Sequence, residues 1–136
     1  MDTVLCRDAL EDIASLLDRN LLRAGADCVL LVDRAGHVLV HRGDPSTLDI
    51  VALAALSAAN YGATEEIAKL IGEKDFALLF HKGKNENVHY TKLGENYFII
   101  TIFGKNVPLG LIRLRIATIT EEITNILNVG AATCHS

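Results

Sequence analysis

The hydrophobic pattern of the first 43 residues predicts a helix followed by a two-stranded hairpin. Apolar residues recur every three or four positions from about Thr3 to Arg23, as in an amphipathic helix, and Gly25 is placed to end it. The segment Cys28–Asp33 is apolar until its last residue, which is typical of a strand covered on both faces. Arg34–Gly36 predicts a tight turn, and His37–Arg42 predicts the returning strand.

The remaining pattern predicts a second helix, three more strands and a third helix. Ser46 or Thr47 is predicted to cap the second helix, which continues to about Ile71. The predicted strands are Phe76–Lys82, Val88–Leu93 and Tyr97–Phe103, and the last helix runs from about Pro108 through Ile126.

This order predicts an α/β fold in three layers. Short connections between strands imply antiparallel pairing, and strands that are apolar on both sides imply helices on both faces of one sheet. The most apolar strand, Tyr97–Phe103, is expected at the centre. We interpret residues 1–136 as a single domain with a core over about 3–127 and a tail, 128–136, that frays.

The alanine-rich second helix is apolar nearly all the way round. On a helical wheel one side carries large residues, which are predicted to lie on the protein's own sheet: Leu53, Leu56, Ile67, Leu70 and Ile71. On the opposite side the first three turns carry small apolar residues, with Ala54, Ala58 and Gly62 at i, i+4 and i+8, and the last turns carry charged residues. Small residues at this spacing allow another backbone to approach closely.

The small side therefore predicts a homodimer in which two such helices pack antiparallel about a two-fold axis. The neighbouring strand Phe76–Lys82 is predicted to continue the sheet across that axis. The interface residues are predicted to be Val51, Ala54, Ala55, Ala58, Phe76, Leu78 and Phe80. The alternative is a helix of good helix formers that is exposed to water.

Composition and charge exclude several function classes. Half of the residues are hydrophobic and 22% are charged, which suits a packed core, and the formal net charge is -4, which disfavours nucleic-acid binding. No apolar run is long enough for a membrane span, and the first residues lack a signal-peptide pattern. We expect a cytoplasmic protein whose scattered cysteines, Cys6, Cys28 and Cys134, are reduced thiols.

No motif of catalysis or cofactor binding is present in the sequence. Four histidines on predicted strands, His37, His41, His81 and His89, could assemble a metal site, with His81 and His89 as possible neighbours across a hairpin. Without a carboxylate or cysteine at matching spacing, ordinary strand histidines are favoured. Asn60 is predicted to bond a backbone group. Solvated surface charge is the expectation for Arg34, Arg42, Arg113 and Arg115. We expect no catalytic residue, metal or cofactor.

Three segments resemble the roadblock family of dynein light-chain-like proteins. They are LLVDRAGHVLVHRG (Leu30–Gly43), AALSAAN (Ala54–Asn60) and YFIITIFGKNVPLGLIRL (Tyr97–Leu114), and the resemblance extends from about Asp8 to Leu127. It implies the fold predicted above and a homodimer with paired central helices. It also implies that the dimer binds a Ras-like small GTPase and raises its GTP turnover by repositioning the GTPase's own residues, without an arginine finger.

The resemblance places the GTPase on the exposed face of the paired helices. The matching positions are Ala58, Gly62 and Glu66, and the glutamate departs from the small residue expected at the third position. Two other functions remain open: a dimeric structural adaptor that leaves GTP turnover unchanged, and an enzyme or small-ligand sensor, which rests on fold analogy alone.

Overall fold

The computed structural model describes residues 7–44, 49–74 and 79–133. The helices are α1 (Arg7–Leu17, continued by a π-helical turn over Asp18–Leu22), α2 (Ile50–Leu70) and α3 (Leu109–Thr133). The strands are β1 (Cys28–Asp33), β2 (Val38–Gly43), β3 (Leu79–Lys82), β4 (Glu86–Leu93) and β5 (Tyr97–Gly104). None of the helices in these ranges combines the length and the apolar character needed to cross a bilayer.

The five strands form one antiparallel sheet in the order β2-β1-β5-β4-β3. The predicted α/β fold is confirmed, and so is the central position of β5. Ile99 and Ile100 are adjacent in this strand, point to opposite faces, and are both fully buried. Burial on both faces explains why β5 is continuously apolar rather than alternating.

The sheet separates two hydrophobic cores. On one face α1 and α3 cover a large core that includes Val29, Leu31 and Phe103. On the other face α2 covers a smaller one that includes Leu30, Ile100 and Tyr90. The single helix α2 therefore forms one outer layer of the molecule by itself.

Several element ends differ from the predictions. The N-cap of α2 is Asp49, whose carboxylate accepts a hydrogen bond from the Ala52 amide at 3.0 Å, so the predicted cap at Ser46 or Thr47 is wrong. Strand β4 begins at Glu86, inside the predicted loop, because the β3–β4 hairpin pairs further toward its turn. Helix α3 continues to Thr133, beyond the predicted core boundary at residue 127.

The π-helical turn after α1 places an acidic side chain against β2. Arg42 donates from Nε and Nη2 to the two carboxylate oxygens of Asp18 at 2.8 and 2.7 Å. This bidentate ion pair connects the end of α1 to β2, an edge strand of the sheet. Arg42 is exposed, as expected of a surface charge, and it is also the ion-pair partner of Asp18.

Candidate functional site

Helix α2 turns small and polar side chains toward its own sheet. Ala54 is fully buried and Ser57 is 2% exposed. The Ser57 hydroxyl lies 3.1 Å from the hydroxyl of Tyr90 on β4. Tyr61, one turn further on, stacks on Phe98 of β5 with ring centroids 5.3 Å apart. A buried hydrogen bond and a ring contact are directional, so together they fix the rotation of α2 on the sheet.

The opposite side of α2 is an exposed apolar surface, here called the outer face. Its alanines recur at i, i+4 and i+8, and large apolar side chains flank them. The side chains of Val51, Leu56 and Leu70 are 71%, 70% and 86% exposed. The outer face comprises Val51, Ala52, Ala55, Leu56, Ala59, Ala63, Ile67 and Leu70. A contiguous apolar surface of this kind indicates an interaction site.

The predicted rotation of α2 is wrong. Of the large residues predicted to face the sheet, Leu53 packs there, whereas the others are exposed: Leu56, Ile67, Leu70 and Ile71. Ala54 is predicted in the dimer interface, but its side chain is buried within the chain, and Ala58 is half-buried against the same core. Val51 and Ala55 do face outward.

A close approach between α2 and the β1–β2 turn explains this rotation. Gly36 lies in that turn with a φ of +93°, and a Cβ built on it would lie 3.0 Å from the Cα of Ala55 and 3.5 Å from the carbonyl oxygen of Ala54. The helix backbone therefore rests on the turn at Ala54 and Ala55. Leu53 and Tyr61 pack against the sheet on the inner side, and Leu56 points outward.

A small groove lies beside the outer face, where α2 passes the β4–β5 turn. Its volume is about 40 Å³, enough for a few water molecules and too small for a cofactor. Glu65 lines it and accepts from Arg34 Nη2 at 2.7 Å and from Lys92 Nζ at 3.4 Å. Arg34 Nη1 also donates to the backbone carbonyl of Glu95 at 2.8 Å. Arg34 therefore connects α2 to both hairpin turns, and it remains exposed, as expected of a surface charge.

The residues predicted to contact a GTPase lie along one side of α2. Ala58 and Gly62 line the groove. Glu66 is exposed one turn further on, and its carboxylate accepts from Lys69 at 3.2 Å. A Cβ built on Gly62 meets no heavy atom of the described residues within 4 Å. Gly62 and Glu66 are therefore accessible from outside, whereas Ala58 lies at the inner rim.

Strand β3 forms one edge of the sheet, next to α2 in the chain. It pairs with β4 on one side and has no strand on its other side among the described residues. Phe80 is half-buried and stacks on Phe103 at 6.2 Å between ring centroids, in the core under α1 and α3. Phe76 and Leu78, also predicted in the dimer interface, lie outside the described residues. An open strand edge can pair with a second sheet.

The structure disperses the histidines considered for a metal site. His81 and His89 lie on opposite faces of the sheet, because the register places His89 opposite Phe80, so they are not the neighbours that were considered. His81 Nε2 lies 3.1 Å from Asn60 Nδ2, so the predicted backbone partner of Asn60 is wrong. In the described ranges no three His, Cys, Asp or Glu side chains are grouped to hold a metal ion.

The one cysteine within the described ranges, Cys28, is fully buried in β1. Burial raises the pKa of its thiol, and the nearby carboxylates of Asp27 and Asp44 act in the same direction. A raised pKa disfavours the reactive thiolate. Cys28 is therefore a packing residue of the core.

We expect a double-mutant cycle on Ser57 and Tyr90 to give a coupling of about 1 kcal/mol in the free energy of unfolding. Ser57→Ala leaves the buried Tyr90 hydroxyl unpaired, and Tyr90→Phe does the same to Ser57, whereas the double variant leaves neither group unpaired. Urea unfolding at one fixed protein concentration measures the three variants. Additive effects would show that this hydrogen bond does not hold α2.

The fold and the outer face together define a class of interaction domain. The family model described as "Roadblock/LC7 domain" matches residues 13–103. The chain therefore belongs to the Roadblock/LC7 family, in agreement with the resemblance found in the sequence.

Solved structures of MglB match nearly the whole chain. Myxococcus xanthus MglB is 34% identical with a TM-score of 0.85, and the match covers 93% of this chain and 95% of that one. The gliding protein MglB of Thermus thermophilus is 31% identical with a TM-score of 0.85, covering 93% and 96%. An MglB structure described as having a tetrameric arrangement is 30% identical with a TM-score of 0.87, covering 95% and 97%.

Proposed function

We propose that this protein is a homodimeric, cytoplasmic regulator that binds a Ras-like small GTPase of the MglA type and stimulates its GTP hydrolysis, in bacterial polarity or motility. The observation that carries the proposal is the outer face of α2, whose large apolar side chains are exposed in the single chain. The similarity to MglB over nearly the whole chain supports the class of partner.

The proposed dimer pairs the outer faces of two α2 helices. The row Ala55, Ala59 and Ala63 lets the two backbones approach, and Leu56 and Ile67 flank the contact. A self-complementary surface of this kind forms a two-fold dimer. The open edge of β3 extends the interface by sheet pairing. Val51, Ala55 and Phe80 are retained from the predicted interface, and the buried side chain of Ala54 is removed from it.

The proposed GTPase contact consists of Gly62 and Glu66, with Ala58 at its edge. It lies beside the dimer interface. These residues provide a contact surface and one carboxylate. None of them carries a group that could attack or protonate GTP. The nearby guanidinium of Arg34 is held by Glu65 and by the Glu95 carbonyl. The regulator therefore acts by holding the GTPase's own catalytic residues in position, which is the main route to faster phosphoryl transfer.

The test is single-turnover GTP hydrolysis by the Ras-like GTPase of the same organism, with and without this protein. We expect the native chain to raise the rate about tenfold or more. Gly62→Arg should abolish the increase, because it places a large charged side chain on the contact. Gly110→Arg on α3 is the matched control, since a Cβ at either glycine meets no described heavy atom within 4 Å.

The outcomes separate the candidate functions. Stimulation that survives Gly110→Arg and is lost in Gly62→Arg supports the regulator and its contact. Binding without any change in the GTP hydrolysis rate would replace the regulator by a structural adaptor. Stimulation that survives in Gly62→Arg as well as in Gly110→Arg would show that Gly62 is not in the contact. No binding to the GTPase in either nucleotide state would overturn the proposal.

A further inference from the structure

The sheet face under α3 contains a cluster of buried polar side chains within an otherwise apolar core. Asn87, His89 and Thr101 are 6%, 3% and 0% exposed. Among the described residues, Asn87 Oδ1, His89 Nε2 and Thr101 Oγ1 have no hydrogen-bond partner. Buried polar atoms are normally paired, and each unpaired one costs free energy. Three such atoms on neighbouring strands form a polar region within this core.

Of these three residues, His89 lines a cleft between β4 and α3. Its volume is about 230 Å³, which is room for a small organic molecule rather than for a single water. Its lining includes His89, Thr91, Arg113, Ile116, Ala117 and Thr120. It lies on the opposite face of the sheet from α2, so it is separate from the proposed GTPase contact.

The lining combines one permanent positive charge with uncharged polar groups and an apolar wall. Arg113 is exposed and supplies the charge. The pKa of His89 is lowered to about 4, first by burial and second by the charge of Arg113, so the imidazole is neutral at pH 7. Thr91 Oγ1 lies 3.2 Å from His89 Nδ1. When the Thr91 hydroxyl donates to Nδ1, the other ring nitrogen, Nε2, carries the proton within the buried cluster.

We infer that this cleft binds a small organic monocarboxylate, with the guanidinium of Arg113 holding the carboxylate and His89 lying in the wall beside it. One guanidinium and a neutral imidazole balance a single negative charge, which favours a carboxylate over a phosphate dianion. Ile116 and Ala117 provide the apolar wall for a short hydrocarbon body. The ligand class is therefore an amphiphilic acid of a few carbons.

The test uses butyrate and benzoate as probes, with the neutral butyramide and inorganic phosphate as comparisons, on the full chain observed by NMR. We expect saturable shifts of the amides of residues 89–91 and 113–120 with the two carboxylates. Butyramide and phosphate should bind at least about tenfold more weakly. Butyramide carries no negative charge, and a phosphate dianion carries more charge than one guanidinium balances.

Two arginine variants make the test specific. Arg113→Gln should weaken carboxylate binding about tenfold or more. Arg115→Gln, an exposed arginine on the same helix that does not line the cleft, should leave the affinity unchanged. A second readout is the pKa of His89, which bound carboxylate should raise from about 4 toward its ordinary value, because a negative charge stabilises the imidazolium.

Three results would overturn the proposal. No saturable binding of either carboxylate would mean that the cleft holds water alone. Binding that Arg113→Gln leaves unchanged would place the ligand elsewhere. Phosphate that binds as tightly as the carboxylates would refute the preference for a monoanion. Because the readouts are affinity and shifts near α3, a negative result leaves the GTPase experiment unaffected.

Discussion

Leu56→Glu is expected to make the protein monomeric at micromolar concentrations at which the unmodified chain is a dimer. Leu56 is 70% exposed on the outer face of α2, so the substitution has little to disturb within a single chain. In the proposed dimer the two-fold axis brings both copies of residue 56 into one seam. Each glutamate loses its hydration there without a partner, and we expect the dimer dissociation constant to rise about 100-fold or more.

Sedimentation velocity measures this change, and Leu114→Glu is its control. Leu114 is 64% exposed on α3, so the two variants add the same charge at similarly exposed leucines on different helices. We expect Leu114→Glu to stay dimeric, and circular dichroism should show both variants folded. If both variants remain dimeric, the dimer interface does not lie on α2. A monomeric unmodified chain at micromolar concentration would refute the homodimer itself.

The free energy of unfolding is expected to fall by about 2 kcal/mol between pH 7 and about pH 4.5 through His89 alone. The pKa of His89 is about 4 in the folded chain, against an ordinary value of 6.5. Between these values the unfolded chain binds the proton and the folded chain does not. Stability from this group is therefore complete above about pH 6.5 and is lost as the pH falls toward 4.

Substitution of His89 isolates this contribution. We expect His89→Gln and His89→Leu to be less stable than the native chain at pH 7 and to lose about 2 kcal/mol less on acidification. Urea unfolding at matched protein concentration measures the difference, because carboxylates elsewhere titrate alike in the native chain and in the variants. A pH dependence identical to that of the native chain in both variants would show that His89 is not held neutral by the fold.

Much of the fold was predictable because it depends on local rules. The apolar run from Tyr97 to Phe103 predicts a strand covered on both faces, and β5 has helices on both sides and strands on both edges. Turn residues such as Gly36 mark the hairpins, and short hairpins require antiparallel neighbours. The roadblock resemblance rests on these same segments, and the family match agrees with it.

The side chains that decide function were less predictable. Sequence spacing placed Asn60 on the sheet side of α2, but its partner, His81, comes from a strand distant in the chain. Nothing in the sequence placed Arg113 beside His89, since the cleft depends on where α3 crosses β4. Such pairings arise from packing between elements, and the local pattern contains no information about them.

The sequence by itself determined the succession of helices and strands along the chain, the antiparallel pairing of the strands and an α2 helix that is apolar on two sides. Only the tertiary structure decided which of those sides faces outward. The usual inference assigns large apolar residues to the protein's own core, and it holds when water is the alternative. It fails for α2, whose backbone lies against Gly36 at Ala54 and Ala55. Leu53 and Tyr61 pack on the inner side, whereas Leu56, Ile67 and Leu70 stay outside. Hydrophobicity indicates that a side chain avoids water, and the packing of the folded chain determines which surface covers it.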